Sequence, residues 1–285
     1  MKKNSNEKEW DLILKPKSGW FDLRLNELWR YRDLISLFVK RDFVALYKQT
    51  ILGPLWYIIQ PLLTTIAFTI VFGNIAKIST DNLPPILFYM AGVVPWNYFA
   101  ECINKTSDTF ISNAQIFGKV YFPRLTVPVS IVISNLITFV IQFLFFLAFC
   151  FFYLQRGAPV RPNRYILLTA VLILIMAMLG LGLGIIVSSL TTKYRDLRFL
   201  VSFGVQLFMY ATPVIYPFSS LSRKYKIILL FNPMTPVIEA FRLAYLGTGS
   251  FHISQLSYSI SITVIIFIVG ILLFNMIEKS FMDTV

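Results

Sequence analysis

Six stretches of this chain contain no Asp, Glu, Lys or Arg, and each is at least about as long as the ~20 apolar residues a helix needs to cross a bilayer core. They lie between Lys48 and Lys77, Asp81 and Glu101, Arg124 and Arg156, Arg164 and Lys193, Arg198 and Arg223, and Arg242 and Glu278. That spacing restricts the fold more than any other feature. A water-soluble surface needs charges at shorter intervals, and here charged residues make up 14% of the chain, against roughly 25% in soluble domains. The expectation is an all-α integral membrane protein of six transmembrane helices. A seventh gap, Lys226 to Glu239, holds twelve residues, among them Asn232-Pro233 and Pro236. It is too short to span and reads as short re-entrant outer helices between the fifth and sixth spans, tolerated only where protein or water satisfies the backbone.

Residues ahead of the first gap have a different pattern. Leu28, Tyr31, Leu34, Ile35 and Phe38 share one helical arc, and Arg30, Arg32, Asp33, Ser36 and Lys40 share another. Such a helix suits a membrane surface, or the protein's own polar end. The division is therefore 1–48, a polar N-terminal segment with an amphipathic interfacial helix, and 49–285, one membrane domain. No cleavable signal pattern precedes the first span, so that span is expected to act as the insertion signal.

The net charge of +12 is read as an orientation signal, and nucleic-acid binding is not expected. Residues 1–50 hold 11 of the 26 Lys and Arg, which places the N-terminus in the cytoplasm. Six spans return the C-terminus to the same side. The loops nearly balance: Lys119, Arg124, Lys193, Arg195 and Arg198 on one side, and Arg156, Arg161, Arg164, Arg223, Lys224 and Lys226 on the other. The second group is placed to meet anionic headgroups or a phosphate-bearing substrate. In the fourth span the run GLGLG sets Gly180 and Gly184 four apart, a spacing that lets helix backbones approach; internal packing is the favoured use, a dimer contact the other.

The chemistry of catalysis is thin. No G-x-x-x-x-G-K-[ST] loop is present to cradle a nucleotide. One histidine, His252, and two scattered cysteines, Cys102 and Cys150, do not make an ordinary zinc site, and no G-x-S-x-G elbow occurs. Ion-coupled carriers keep ionisable groups within their spans. Here Glu101, Asp108 and Glu239 fall near span ends, where water-facing roles explain them. The chain is expected to be no enzyme, to hold no cofactor or metal, and to draw its energy from a separate chain. Two segments look like docking elements: 112–124, SNAQIFGKVYFPR, with its aromatics and Pro123-Arg124, and 191–198, TTKYRDLR.

At these residues a resemblance emerges. RDFVALYKQTILGPLWYIIQPLL (41–63), AGVVPWNYF (91–99), FGKVYFPRLTVPVS (117–130), KYRDLR (193–198), and ATPVIYP with NPMTPVIEAFR (211–217 and 232–242) resemble, in order, the permease subunits of bacterial ABC exporters for O-antigen, capsule and teichoic acid, with the O-antigen branch the nearest. The resemblance implies a homodimer in the bacterial inner membrane, a separate nucleotide-binding ATPase carrying ATP and Mg, and a lipid-linked glycan as cargo. It implies that Phe117, Lys119, Tyr121, Phe122, Pro123 and Arg124 couple to that ATPase. Pro213, Tyr216, Pro217, Asn232, Pro233 and Pro236 would belong to an outer gate. Aromatic faces suit weak, repeated contacts with sugar rings, so Trp56, Tyr57, Tyr89, Trp96 and Tyr98 are candidates for the channel lining. An ABC exporter of drugs or small lipids, and a membrane-embedded transferase, are the alternatives.

Overall fold

Proline and glycine punctuate the apolar runs and set where each helix starts. The computed structural model describes residues 25–48, 51–117, 119–120, 122–191, 194 and 196–281. Among these, the regular structure is helical: α1 (Leu25–Arg30), α2 (Arg32–Lys48), α3 (Trp56–Phe68), α4 (Pro85–Ser107), α5 (Thr109–Ser112), α6 (Ala114–Phe117), α7 (Thr126–Gln155), α8 (Thr169–Thr191), α9 (Leu197–Tyr210), α10 (Arg223–Leu230), α11 (Met234–Leu246) and α12 (Ile253–Phe281). A 3₁₀ turn with Pro54 in it leads into α3, and a π-helical stretch, Thr69–Ile75, continues it. Pro85 opens α4 at a first-turn position, where its missing N–H costs nothing.

Five helical segments are long and apolar enough to cross a membrane: Gly53–Ile75, Pro85–Ser107, Thr126–Gln155, Arg164–Thr191 and Ile253–Ile277. This is a multi-pass membrane protein. The expected fifth span departs from its gap: α9 stops after 14 residues, about 21 Å at 1.5 Å per residue, because Ala211–Pro217 turns away. The next two helices, α10 and α11, meet at a break bent by 105°. Asn232 shapes that break, accepting at Oδ1 from the Met234 amide at 2.9 Å.

The connections fix which ends lie together. Thr191 Oγ1 at the end of α8 donates to Ser107 O at the end of α4, and Arg198 approaches Asp108 at 4.0 Å. These, with α2, mark one end of the bundle, called here the α2 end. At the far end Arg161 and Asn163 amides donate to Leu246 O and Ala244 O, and Ser219 donates to Asp81 at 2.8 Å.

The core is built on α4, whose Leu87–Trp96 run is buried without interruption. The glycine run of α8 works on two faces. A Cβ at Gly180 would stand 2.7 Å from Cys102 Cβ, and one at Gly184 2.6 Å from Thr106 Cβ, both on α4. A Cβ at Gly182 would meet Phe267 Cα at 3.0 Å on α12, where Gly270 faces back onto the Gly182 carbonyl. The glycines therefore serve packing within the chain, letting α8 lie close between α4 and α12. Elsewhere large apolar side chains point outward, including Ile66 on α3 and Ile70 on its π-helical continuation, Phe199, Leu200 and Phe203 on α9, and Ile265 and Ile268 on α12. A water-exposed surface of this size would be a liability; lipid accepts it.

The amphipathic pattern of the N-terminal segment holds, with a break at Tyr31 between α1 and α2. Phe38 is buried, its ring 5.8 Å from Phe122, and Arg30, Arg32, Asp33, Ser36 and Lys40 are exposed. The apolar arc lies on α7 and its leading loop, while Trp29 and Leu37 remain exposed.

Candidate functional site

Two polar constructions stand at opposite ends of this apolar bundle. The far-end one is centred on α11. Glu239 and Arg242, one turn apart, are 3% and 1% exposed. Glu239 was expected at a water-facing span end; the structure corrects this, because the hairpin of α10 and α11 folds it inside. Arg242 Nη1 donates to Pro213 O at 2.5 Å and Nη2 to Val214 O at 2.6 Å, and Glu239 Oε1 lies 3.4 Å from Nη1. The guanidinium carbon sits 3.8 Å over the centroid of the Phe88 ring. Glu239 Oε2 accepts from the Ser250 amide at 2.9 Å. One ion pair thus ties three pieces together: the turn after α9, the loop after α11, and α4. Gly92 on α4 makes room for it, since a Cβ there would stand 2.9 Å from Val214 O and 3.0 Å from Arg242 Nη2.

The expected gate residues gather around this pair. Pro213 supplies a carbonyl to Arg242. Tyr216 Oη donates to Tyr210 O at 2.9 Å, and Pro217 is buried beside it. Asn232 Nδ2 donates to Ala211 O at 3.0 Å and Thr212 Oγ1 at 2.8 Å, Pro233 O accepts from Ser259 at 2.6 Å, and Pro236 is buried. Pro213, Tyr216 and Pro217 belong to the turn after α9, and Asn232, Pro233 and Pro236 to the break before α11 and its first turn; Asn232 joins the two segments. Arg156, Arg161, Arg164, Arg223 and Lys224 are exposed at this end, with Lys226 half-buried. His252 is here too, at the opposite end from Glu101 and Asp108, so those three do not form a cluster.

At the α2 end the loop from α5 to α7 carries the expected docking residues. Phe117, Phe122 and Arg124 are buried, their aromatic rings 5.7 Å apart, with Arg124 5.5 Å over Phe117. Lys119 and Val120 are exposed and Pro123 is half-buried. Tyr121 lies outside the described residues, as do Lys193 and Arg195 of the second docking segment. Phe117 and Phe122 therefore brace the loop against Phe38 and Phe110; its outward surface is made by Gln115, Lys119 and Val120. Asp108, at the head of the loop, has its carboxyl pushed above the ordinary range by burial, with Arg198 opposing.

The aromatic candidates divide. Tyr89, Trp96 and Tyr98 are buried in the chain's own core, against Phe68, Phe208 and Phe139 respectively. Trp56 is 48% exposed, and Tyr57 lines a cavity. The sequence reading used Arg242 only as a span boundary and missed its pairing with Glu239. The signal was present: opposite charges three residues apart in an otherwise apolar window. Among the described residues no three His, Cys, Asp or Glu side chains come together as metal ligands.

Residues 33–246 match the family model of the ABC-2 type transporter membrane domain. The chain belongs to that family. ABC-2 relatives follow it over most of its length. An O-antigen export system permease protein from Klebsiella pneumoniae is 30% identical over 258 residues, 88% of this chain and 94% of its own. A second from the same species is 28% identical over the same shares, and one from Myxococcus xanthus is 26% identical over 78% of this chain and 83% of its own. The ABC-2 match takes in α4 to α11, and so includes both polar constructions.

Proposed function

We propose that this chain is the transmembrane subunit of an ATP-driven exporter that moves a lipid-linked polysaccharide of the O-antigen kind out of the cytoplasm. The observation that carries the reading is its similarity, over 78–88% of the chain, to O-antigen export permeases. The geometry supports it: a multi-pass bundle with an aromatic-braced loop at one end and a latched turn at the other. ATP and Mg belong to a separate ATPase, which docks on the outward face of the loop 108–125, with Phe117, Phe122 and Arg124 holding the loop's shape and Lys119 among the residues it meets. A second copy of the chain completes the channel, and the exposed apolar faces of α3, α9 and α12 divide between that copy and lipid.

Six spans place both termini in the cytoplasm of a bacterial inner membrane. In this topology α9 and the turn after it make the fifth crossing. The bent pair α10–α11 is re-entrant from the outer side, which is supported by its two ends both lying near far-end loops: Lys226 donates to Ser219 O, and Leu246 O accepts from Arg161. The six gate residues then lie at the outer mouth, and Trp56 and Tyr57 are the aromatic candidates placed to touch the cargo.

The test is reconstitution of this chain with and without a candidate partner ATPase, followed by deletion of its gene. Hydrolysis dependent on the pair, together with loss of surface glycan, is the expected result. Intact surface glycan with altered drug sensitivity would move the cargo to small amphiphiles, and robust hydrolysis by this chain alone would end the reading.

A further inference from the structure

At the α2 end a cavity of about 240 Å³ opens between α2, α3, α4 and α7. Its lining is largely apolar, from residues such as Phe43 and Ile131, but it also carries polar side chains unusual among these helices: Asp42 from α2, Tyr57 from α3, Lys105 from α4, and Ser134, Asn135 and Thr138 from α7. Ser134 and Thr138, one turn apart, share a face of α7. They lie roughly 12–18 Å along the helix from its start at 1.5 Å per residue, well inside the span. Ser134 Oγ is buried without a hydrogen-bond partner among the described residues. Several other buried polar atoms share that state; Ser134 differs in that its residue lines a cavity.

We propose that this cavity binds one uncharged pyranose ring of the exported glycan on its loading side. The inference rests on the polysaccharide-export reading and adds a subsite to it. The volume is below the ~300–1,000 Å³ of clefts that take drug-sized ligands, which suits a single ring. The charge pattern selects a neutral ligand. Lys105 Nζ is already 2.9 Å from Glu101 Oε2 and 3.0 Å from Asn135 Oδ1, and Arg41 is held by Asp42 at 2.8 Å. A phosphate would have to break those pairs and then face the Asp42 carboxylate. A sugar has no such conflict. Its hydroxyls donate to Asp42 and accept from Lys105, Ser134 and Thr138, whose own hydroxyls work in either sense. The Tyr57 ring offers an apolar face for the C–H side of the pyranose.

The experiment uses Ser134→Cys and, separately, Thr138→Cys, in the full chain assembled with its ATPase in nanodiscs. Both native cysteines are buried, so a small methanethiosulfonate reagent reports on the new thiol. The probes are methyl glycosides of glucose, galactose, mannose and N-acetylglucosamine, with inorganic pyrophosphate as the anionic comparison. At least one glycoside is expected to slow modification about fivefold or more, and pyrophosphate to leave it unchanged. Adding Asp42→Ala is expected to weaken that protection about tenfold, as the loss of a hydrogen bond to a charged group does. The proposal is overturned if neither cysteine reacts, if no glycoside protects, or if pyrophosphate protects equally well. Surface glycan made by wild-type cells is scored in parallel. Its absence would defeat the export reading, whereas normal export without glycoside protection would defeat only the subsite.

Discussion

The guanidinium of Arg242 lies 3.8 Å above the ring of Phe88, so a charge on the α10–α11 hairpin is seated on α4, the most buried of the five candidate spans. Its hydrogen bonds run to Pro213 and Val214, and its ion partner is Glu239. Removing Arg242 leaves Glu239 buried without its counter-charge. Arg242→Met is expected to cost about 3–5 kcal/mol, as broken buried pairs do, and Arg242→Lys to recover little, because a lysine cannot fork to two carbonyls. Thermal unfolding in detergent measures both; a melting point within a degree of wild type for Arg242→Met would show that the latch carries no load.

Gly92 and Gly204 offer a paired comparison. A Cβ at Gly92 would crowd Val214 O and Arg242 Nη2, whereas one at Gly204 meets nothing within 4 Å in the chain. Gly92→Ala is expected to destabilise by about 1–3 kcal/mol through overpacking. Gly204→Ala is expected to be neutral or to stabilise by up to about 1 kcal/mol through helix propensity. Equal effects in the same unfolding assay would contradict the close approach of the turn to α4.

The loop between α4 and α7 separates bracing from contact. Phe122 is buried between Phe38 and Phe117, and Lys119 is exposed. Phe122→Ala is expected to lower the melting point, with a loss of about 3–5 kcal/mol, and to reduce ATP turnover by the assembled pair. Lys119→Glu is expected to leave the melting point alone while weakening recruitment of the ATPase, read by co-purification. If Lys119→Glu co-purifies as wild type does, the docking surface lies elsewhere.

Asp108 makes stability depend on pH. Burial raises its carboxyl above the ordinary 3.8, with Arg198 only partly opposing. The folded state therefore holds this proton more tightly than the unfolded chain. The resulting stabilisation is full below the unfolded pKa and is lost as pH rises through the folded one. Asp108→Asn is expected to remove that fall, so its melting point should decline less than that of wild type as pH is raised from the ordinary carboxylate value into the raised range. Parallel curves for the two proteins would show that the carboxyl is not desolvated as placed.

The one-dimensional pattern of charge, proline and glycine determined a good deal of this protein. Charge gaps mark the spans because a charge in lipid is costly whatever its neighbours, so Gly53–Ile75, α4, α7, α8 and α12 could be read directly. The arc of Phe38 and the exposed arc of Arg32 and Lys40 followed from helical period alone. Motifs in the right order pointed to O-antigen permeases, and the relatives agree. Tertiary structure alone decided the rest, because it depends on which surfaces meet. The apolar gap after Arg198 does not become one long helix, since the turn at Ala211–Pro217 is drawn onto α4 by Arg242. Glu239, polar by composition, is internal because the hairpin closes over it. Tyr89, Trp96 and Tyr98 look like Tyr57 in sequence, yet three pack inward and one faces a cavity. GLGLG announced close packing, but only the folded chain shows it used on two faces, α4 on one side and α12 on the other. A local pattern reports the cost of placing one residue in lipid or water; it carries no record of the partner, many residues away, that removes the cost.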